Sequence, residues 1–164
     1  MKKIIILIPV YNDWESLKKL LEEINLNIQD FHNINFECLI VNDASTSQIP
    51  KIIKPRKFDT IEILNMKVNR GHARCNAFGI RYAHQKKNFD YLILMDSDGE
   101  DRPEEIKSFI EKIKNNASLS VVAKRVKRSE GIFFQFLYQL HKLITLIFTG
   151  KNVNFGNYSI LTRS

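Results

Sequence analysis

The sequence predicts an α/β protein built on a mostly parallel central sheet with helices on both faces. Aliphatic runs of strand length alternate along the chain with segments of helical periodicity, the order that generates parallel βαβ units. The runs are continuously apolar, as expected of strands covered on both faces. Polar residues stand at the ends of three strands, Asn12-Asp13, Asn42-Asp43 and Asp96-Ser97-Asp98, and open parallel sheets bind ligands beyond the carboxyl ends of their strands.

Each element has its own grounds. Ile4-Ile5-Ile6-Leu7-Ile8 is the first strand, and Pro9 is expected to stop it. Leu17, Leu20, Leu21, Ile24 and Ile28 then recur at helical spacing, with Asn12 and Glu15 placed for a capping box. Residues 36–41 form a second strand, ended by Asn42-Asp43-Ala44-Ser45-Thr46, residue types that favour turns and caps. Residues 61–64 give a short third strand. A helix is expected from Arg70-Gly71 to about Lys87, with Ala73, Ala77, Ile80 and Ala83 on one face. Tyr91-Leu92-Ile93-Leu94-Met95 is the strongest strand and runs straight into Asp96-Ser97-Asp98. Pro103 marks a helix start, with Glu104 and Glu105 in the first turn, where carboxylates favour the dipole. Residues 119–123 read as a further strand.

The bulk properties bound the function. The chain has 164 residues, 44% hydrophobic and 26% charged, which suits one globular domain and excludes a disordered tail. Cys38 and Cys75 are too few and too unpatterned for a disulfide scaffold, which favours a reducing, cytoplasmic setting. Met1-Lys2-Lys3 and the aliphatic run after it superficially resemble a signal peptide. The run is short, however, lacks a small-residue cleavage site, and passes into Pro9-Val10-Tyr11-Asn12. The net charge of +7 is scattered, with modest concentrations at residues 51–57 and 124–128. It reads first as a solvated basic surface and next as one drawn to anionic lipid or a phosphorylated substrate. No base-reading motif or aromatic platform accompanies it, so nucleic acid is not an expected partner.

Asp96 and Asp98 carry the chemistry. Two apart after a buried strand, their side chains point to one side if the chain is still extended. Carboxylates so placed repel one another and favour a bound cation; oxygen ligands suit Mg²⁺ or Mn²⁺, which also holds a substrate diphosphate. Asp43 reads equally as a hydrogen-bond acceptor for a base or ribose and as an N-cap, and Asp13 has the same ambiguity. Arg70, Gly71 and Arg74 at a helix start suit phosphate oxygens or form an ordinary exposed helix terminus. His72 reads as an exposed residue. There is no His and Cys set at metal-ligand spacing, no Gly-rich phosphate loop and no Ser nucleophile motif.

Together these segments resemble the family 2 glycosyltransferases of GT-A fold, and within them the polyprenyl-phosphate glycosyltransferases such as the dolichyl-phosphate mannosyltransferases. The matching stretches are Ile8-Pro9-Val10-Tyr11-Asn12-Asp13, Ile40-Val41-Asn42-Asp43-Ala44-Ser45, Asn69-Arg70-Gly71 to Gly79, and Leu94-Met95-Asp96-Ser97-Asp98-Gly99-Glu100-Asp101 with Arg102-Pro103-Glu104. Val122-Ala123-Lys124-Arg125 and Phe155-Gly156-Asn157-Tyr158 match more loosely. The resemblance implies a single catalytic domain over residues 1–164, with a nucleotide-sugar-binding half over 1–100 and an acceptor-side half over 101–164. It implies that Pro9, Tyr11, Asp13, Val41, Asp43, Arg70, Asp96 and Ser97 hold a UDP- or GDP-linked sugar. Asp96, Asp98 and Glu100 would hold the metal, Arg125 and Arg128 would face the acceptor phosphate, and Asp98 and Arg125 would be the catalytic residues. Three departures stand out: Asn42 in place of the first Asp of an Asp-Asp pair, Asn157 where relatives have an Asp, and a chain that stops at Ser164, which suggests a truncated C-terminus.

Family 2 enzymes invert, which implies one in-line displacement at the anomeric carbon. A sugar hydroxyl acceptor would need a general base, and residues 154–157 contain no carboxylate. A lipid phosphate is already ionised and prefers cations such as Lys124, Arg125, Lys127 and Arg128. A polyprenyl phosphate is therefore the expected acceptor. Residues 132–149 are strongly apolar, but Gln135, Gln139 and Lys142 form one polar stripe. A central Lys costs a membrane span roughly 2.5–3.5 kcal/mol against about 0.3–0.6 returned per Leu or Phe. The stripe fits an amphipathic helix lying on a membrane, and nearly as well one packed on the sheet or a partner. The expectation is a peripheral protein on the cytoplasmic face, with oligomerisation left open. The competing reading is a shortened, non-catalytic relative that binds nucleotide or membrane.

Overall fold

The computed structural model describes residues 1–123 and 156–163. Contacts divide the chain into two compact units, Met1–Val121 with Tyr158–Ser164, and Val122–Asn157; the fold below is that of the first. Its elements run β1 (Lys2–Val10), α1 (Trp14–Asn27), β2 (Ile34–Asn42), β3 (Phe58–Asn65), α2 (His72–Lys86), β4 (Tyr91–Leu94), α3 (Glu105–Asn115), β5 (Val121–Val122) and β6 (Ser159–Thr162). They form a sheet of order β3-β2-β1-β4-β6-β5. β1 pairs in parallel with β2 and β4, β2 with β3, and β6 lies antiparallel on β4.

β1 is wholly buried from Ile4 to Val10, as a continuous aliphatic run demands. Pro9 does not stop it. Leu7 O accepts from Met95 N, 3.1 Å, and Val10 O accepts from Asp43 N, 2.9 Å, so alternate residues face β4 and β2 in turn. The position of Pro9 faces β4, whose pairing with β1 ends at Leu94. The missing N–H thus costs the ladder no bond, the condition under which a strand tolerates proline. β6 is an element that the sequence did not announce: Ser159-Ile160-Leu161-Thr162 is too short and mixed in polarity to signal a strand by itself.

Parallel crossovers within one sheet are right-handed almost without exception, and the β1-α1-β2 and β3-α2-β4 steps run in opposite directions across the sheet, which puts α1 and α2 on opposite faces. On one face Ile5, Leu7, Leu39, Val41, Leu92 and Leu94 pack with Cys75 and Ala83 of α2. Ile4, Ile6 and Ile8 point the other way and are fully buried. α3 lies beside the end of α1, with Lys107 Nζ 3.6 Å from Asp30 Oδ2 and Lys114 over the Phe31 ring.

Two corrections concern the helices. Asp13, not Asn12 with Glu15, caps α1, accepting from Ser16 N at 3.3 Å. Asn12 instead has φ 62° and its Oδ1 accepts from Thr46 N and Ser47 N at 2.8 and 3.0 Å, tying the end of β1 to the loop after β2. In α2 the inward residues are Cys75, Asn76, Gly79 and Ala83, whereas Ala73 and Ala77 are exposed. Gly79 decides the phase: a Cβ there would overlap Leu7 Cδ1 and stand 2.8 Å from Val41 Cγ2, so only glycine lets the helix approach the sheet this closely.

Both cysteines are free and buried. Burial raises the Cys38 thiol far above its ordinary range, and burial together with the Asp43 charge pushes Cys75 up to about 12. Neither forms the reactive thiolate near neutral pH. Ellman's reagent at pH 8 should label neither thiol in the folded protein over minutes and both in guanidinium; a fast thiol in native buffer would contradict this packing.

Candidate active site

Strand order reverses between β1 and β4, and an open α/β sheet places its crevice outside the carboxyl ends at that point. A cavity of about 340 Å³ lies there, lined by Pro9, Val10, Tyr11, Asp13, Asp43, His72, Cys75, Asp96, Ser97 and Asp98. It draws on the ends of β1, β2 and β4 and on the first turn of α2. Ser97 Oγ donates to Pro9 O at 3.3 Å, pinning the two strand ends that flank the reversal.

The Asp96–Asp101 segment is a tight loop rather than a continued strand. Buried Asp101 accepts from Asp96 N at 2.8 Å, and Asp98 Oδ1 accepts from Glu100 N at 3.0 Å. Gly99, at φ 82°, supplies the left-handed residue this turn needs. Tyr158 braces the loop from behind, donating to Arg102 O at 2.8 Å and meeting Phe109 edge-on at 4.8 Å. Asp96 and Asp98 are thereby carried to the cavity on a held backbone.

Asp43 is buried, and its two oxygens accept from Arg70 N and Gly71 N, each at 2.8 Å. It does not cap the segment after β2. It fixes the entry to α2, whose cap Gly71 has φ 82°. Asn42 uses both ends of its amide, donating to Asn65 Oδ1 at 2.8 Å and accepting from Ser45 N at 2.9 Å, so a donor that Asp lacks is employed here. Asp43→Ala should leave Arg70 N–H without an acceptor and Gly71 N–H with only Asn69 Oδ1, at 3.1 Å, and cost about 2 kcal/mol. Urea unfolding measures it, and a loss under about 1 kcal/mol would mean that water replaces the carboxylate without penalty.

Of the residues singled out in the sequence, Pro9, Tyr11, Asp13, Asp43, Asp96, Ser97 and Asp98 come together around this cavity. Val41 does not reach the wall; it is fully buried beneath it, its carbonyl accepting from the Cys75 thiol at 3.4 Å. Arg70 and Glu100 fall outside the lining; what they bring to the site is their backbone N–H groups, which donate to Asp43 and Asp98. Arg125, Arg128 and residues 132–149 lie outside the described residues. His72 is exposed, as the sequence suggested, but the sequence reading assigned it no part in the site; it lines the cavity with Nε2 2.7 Å from Asp96 Oδ1. Its signal was available at four and seven residues before Asn76 and Gly79, on the inward stripe of α2. Among the described residues no three His, Cys, Asp or Glu form a metal cluster, and no helix is long and apolar enough to cross a membrane. Two carboxylates on one loop nevertheless fit an ion such as Mg²⁺, which takes one or two protein carboxylates and completes its shell with phosphate and water.

A family model described as glycosyl transferase family 2 matches residues 5–164. The chain belongs to glycosyl transferase family 2. This family 2 chain is 26% identical, over its full length, to the undecaprenyl-phosphate 4-deoxy-4-formamido-L-arabinose transferase of Salmonella choleraesuis (strain SC-B67), of which it covers 49%. The chain thus spans about half the length of the curated relatives it matches. Among solved structures it is similar to S. aureus TarS 1-349 in complex with UDP-GlcNAc, with a TM-score of 0.62 and 19% identity, covering 99% of this chain and 46% of that one. It is also similar to the mannosyltransferase PcManGT from Pyrobaculum calidifontis in complex with GDP-Man and Mn²⁺, with a TM-score of 0.61 and 14% identity, covering 97% and 44%. The fold is therefore the GT-A type, as the sequence predicted.

Proposed function

We propose that this family 2 chain carries the donor-binding, catalytic part of a glycosyltransferase that moves a sugar from a UDP- or GDP-linked donor to a polyprenyl phosphate. The observation that carries the reading is the cavity at the sheet's reversal point, with Asp96 and Asp98 presented on one braced loop. Four carboxylates line it, those of Asp13, Asp43, Asp96 and Asp98. All four are formally anionic; Asp13 is tied to the α1 cap and Asp43 to the entry of α2, while Asp96 and Asp98 share one loop and concentrate negative charge there. A diphosphate enters such a wall favourably only with a cation between them.

Mg²⁺ or Mn²⁺ held by Asp96 and Asp98 would neutralise the diphosphate as leaving group. Tyr11, half exposed at the rim, offers an aromatic surface to the base, and Pro9 and Asp13 complete that side. Inversion follows from a single in-line attack by the acceptor. A phosphate acceptor is already anionic, so it needs cations rather than a general base, the part assigned to Arg125 and Arg128. The named activity of the Salmonella relative supports the acceptor class. A lipid acceptor in turn sets the place of work at a membrane surface, on the cytoplasmic side where nucleotide sugars are made.

Isothermal titration with UDP and GDP, with and without Mn²⁺, tests the donor site. Transfer from labelled UDP- or GDP-sugars to undecaprenyl phosphate tests the reaction. Absence of metal-dependent binding to either nucleotide would overturn the reading. Binding without turnover would favour the non-catalytic alternative.

A further inference from the structure

We infer that His72, seated against buried Asn76, is the positioning residue that orients Asp96 for the divalent ion and couples that ion's site to the nucleotide side of the cavity. The inference rests on the proposed metal site and assigns a part to a residue outside it. His72 opens α2, and its Nε2 lies 2.7 Å from Asp96 Oδ1. A 2.7 Å approach to a carboxylate oxygen requires a proton on that nitrogen, so the imidazole donates and Asp96 accepts.

Asn76, one helical turn on, fixes the ring. Its Nδ2 lies 3.2 Å from the same His72 nitrogen, while its Oδ1 is buried without a hydrogen-bond partner. A nitrogen that donates to Asp96 keeps no lone pair for an amide N–H. Turned over, the amide would present Oδ1 to share that proton while Nδ2 took the unpartnered place; in either orientation Asn76 packs its amide against the ring nitrogen. The imidazole is thus held between the Asp96 carboxylate and the Asn76 amide, and one oxygen of Asp96 is occupied by the ring N–H. The second oxygen is left to the ion, in the arrangement by which outer hydrogen bonds orient metal-binding carboxylates.

The same helix turn links the two ends of the site. Asp43, at the end of β2, grips the backbone N–H groups of Arg70 and Gly71, and His72 is the next residue. Any ligand that shifts Asp43 therefore moves the donor that orients Asp96. Nucleotide and metal should bind with positive coupling, each favouring the helix start that the other requires.

The test is Mn²⁺ titration of the whole chain, by calorimetry and by the paramagnetic resonance of free Mn²⁺, with and without saturating UDP or GDP. His72→Ala should raise the Mn²⁺ dissociation constant roughly 10–100-fold and erase the coupling to nucleotide, with the thermal midpoint unchanged because the side chain is 43% exposed. His72→Gln, which keeps an N–H donor at similar reach, should recover most of the affinity. Wild-type Mn²⁺ affinity in His72→Ala would overturn the inference while leaving the metal site standing. Failure of the unaltered chain to bind Mn²⁺ with either nucleotide would overturn both.

Discussion

Asp98→Ala should abolish metal-dependent nucleotide binding and lower the rate of sugar transfer by about 10²–10⁴-fold, the effect of losing several kcal/mol of leaving-group stabilisation. The fold should survive. Asp98 is exposed, and within the loop its carboxylate accepts one backbone hydrogen bond, from Glu100 N. Losing such a bond costs about 0.5–1.5 kcal/mol, a fall in thermal midpoint of at most about 6 °C for a chain of this size. Asp98→Asn separates charge from structure. The amide oxygen still accepts from Glu100 N, so the midpoint should return, while the lost charge leaves activity as low as in the alanine variant. Calorimetry and a transfer assay on both variants check the pair of expectations. Retained transfer in Asp98→Asn would show that hydrogen bonding, not metal charge, is what the site draws from this residue.

The sheet was legible because its strands are buried on both faces, and a continuous aliphatic run such as residues 4–8 has few other uses. Its ligand end was legible for a related reason: Asp96-Ser97-Asp98 follows an apolar run with no turn between, so the carboxylates had to emerge at a strand terminus. What escaped was set by tertiary contact. Pro9 continues its strand because the neighbour on that side has already ended, a fact of β4 and not of β1. β6 exists because β4 offers an open edge for it. His72 escaped through the phase of α2, whose several alanines suit any face. With Ala73 and Ala77 taken as inward, nothing aims His72 at the cavity, although its exposure is read correctly. With Gly79 inward it falls in line with Asn76 and the cavity.

Gly79→Val tests that phase and should be the most damaging single change to the fold. A Cβ at this position overlaps Leu7 and presses on Val41, both fully buried in the central strands. Their backbones are fixed in the sheet, and rotating either fully buried side chain away would displace other core atoms. Helix propensity favours valine over glycine by only a few tenths of a kcal/mol, whereas forced overpacking costs about 3 kcal/mol. The midpoint should drop by roughly 6–12 °C. The damage should also reach the site, because relief is available only if α2 lifts from the sheet and carries its first turn away. His72 would then leave Asp96, and Gly71 would leave Asp43. Nucleotide affinity should therefore fall even well below the melting temperature, whereas Ala77→Val on the exposed face should alter neither property by more than a little. Equal effects of the two substitutions would mean that the inward stripe of α2 is not the one that Gly79 defines.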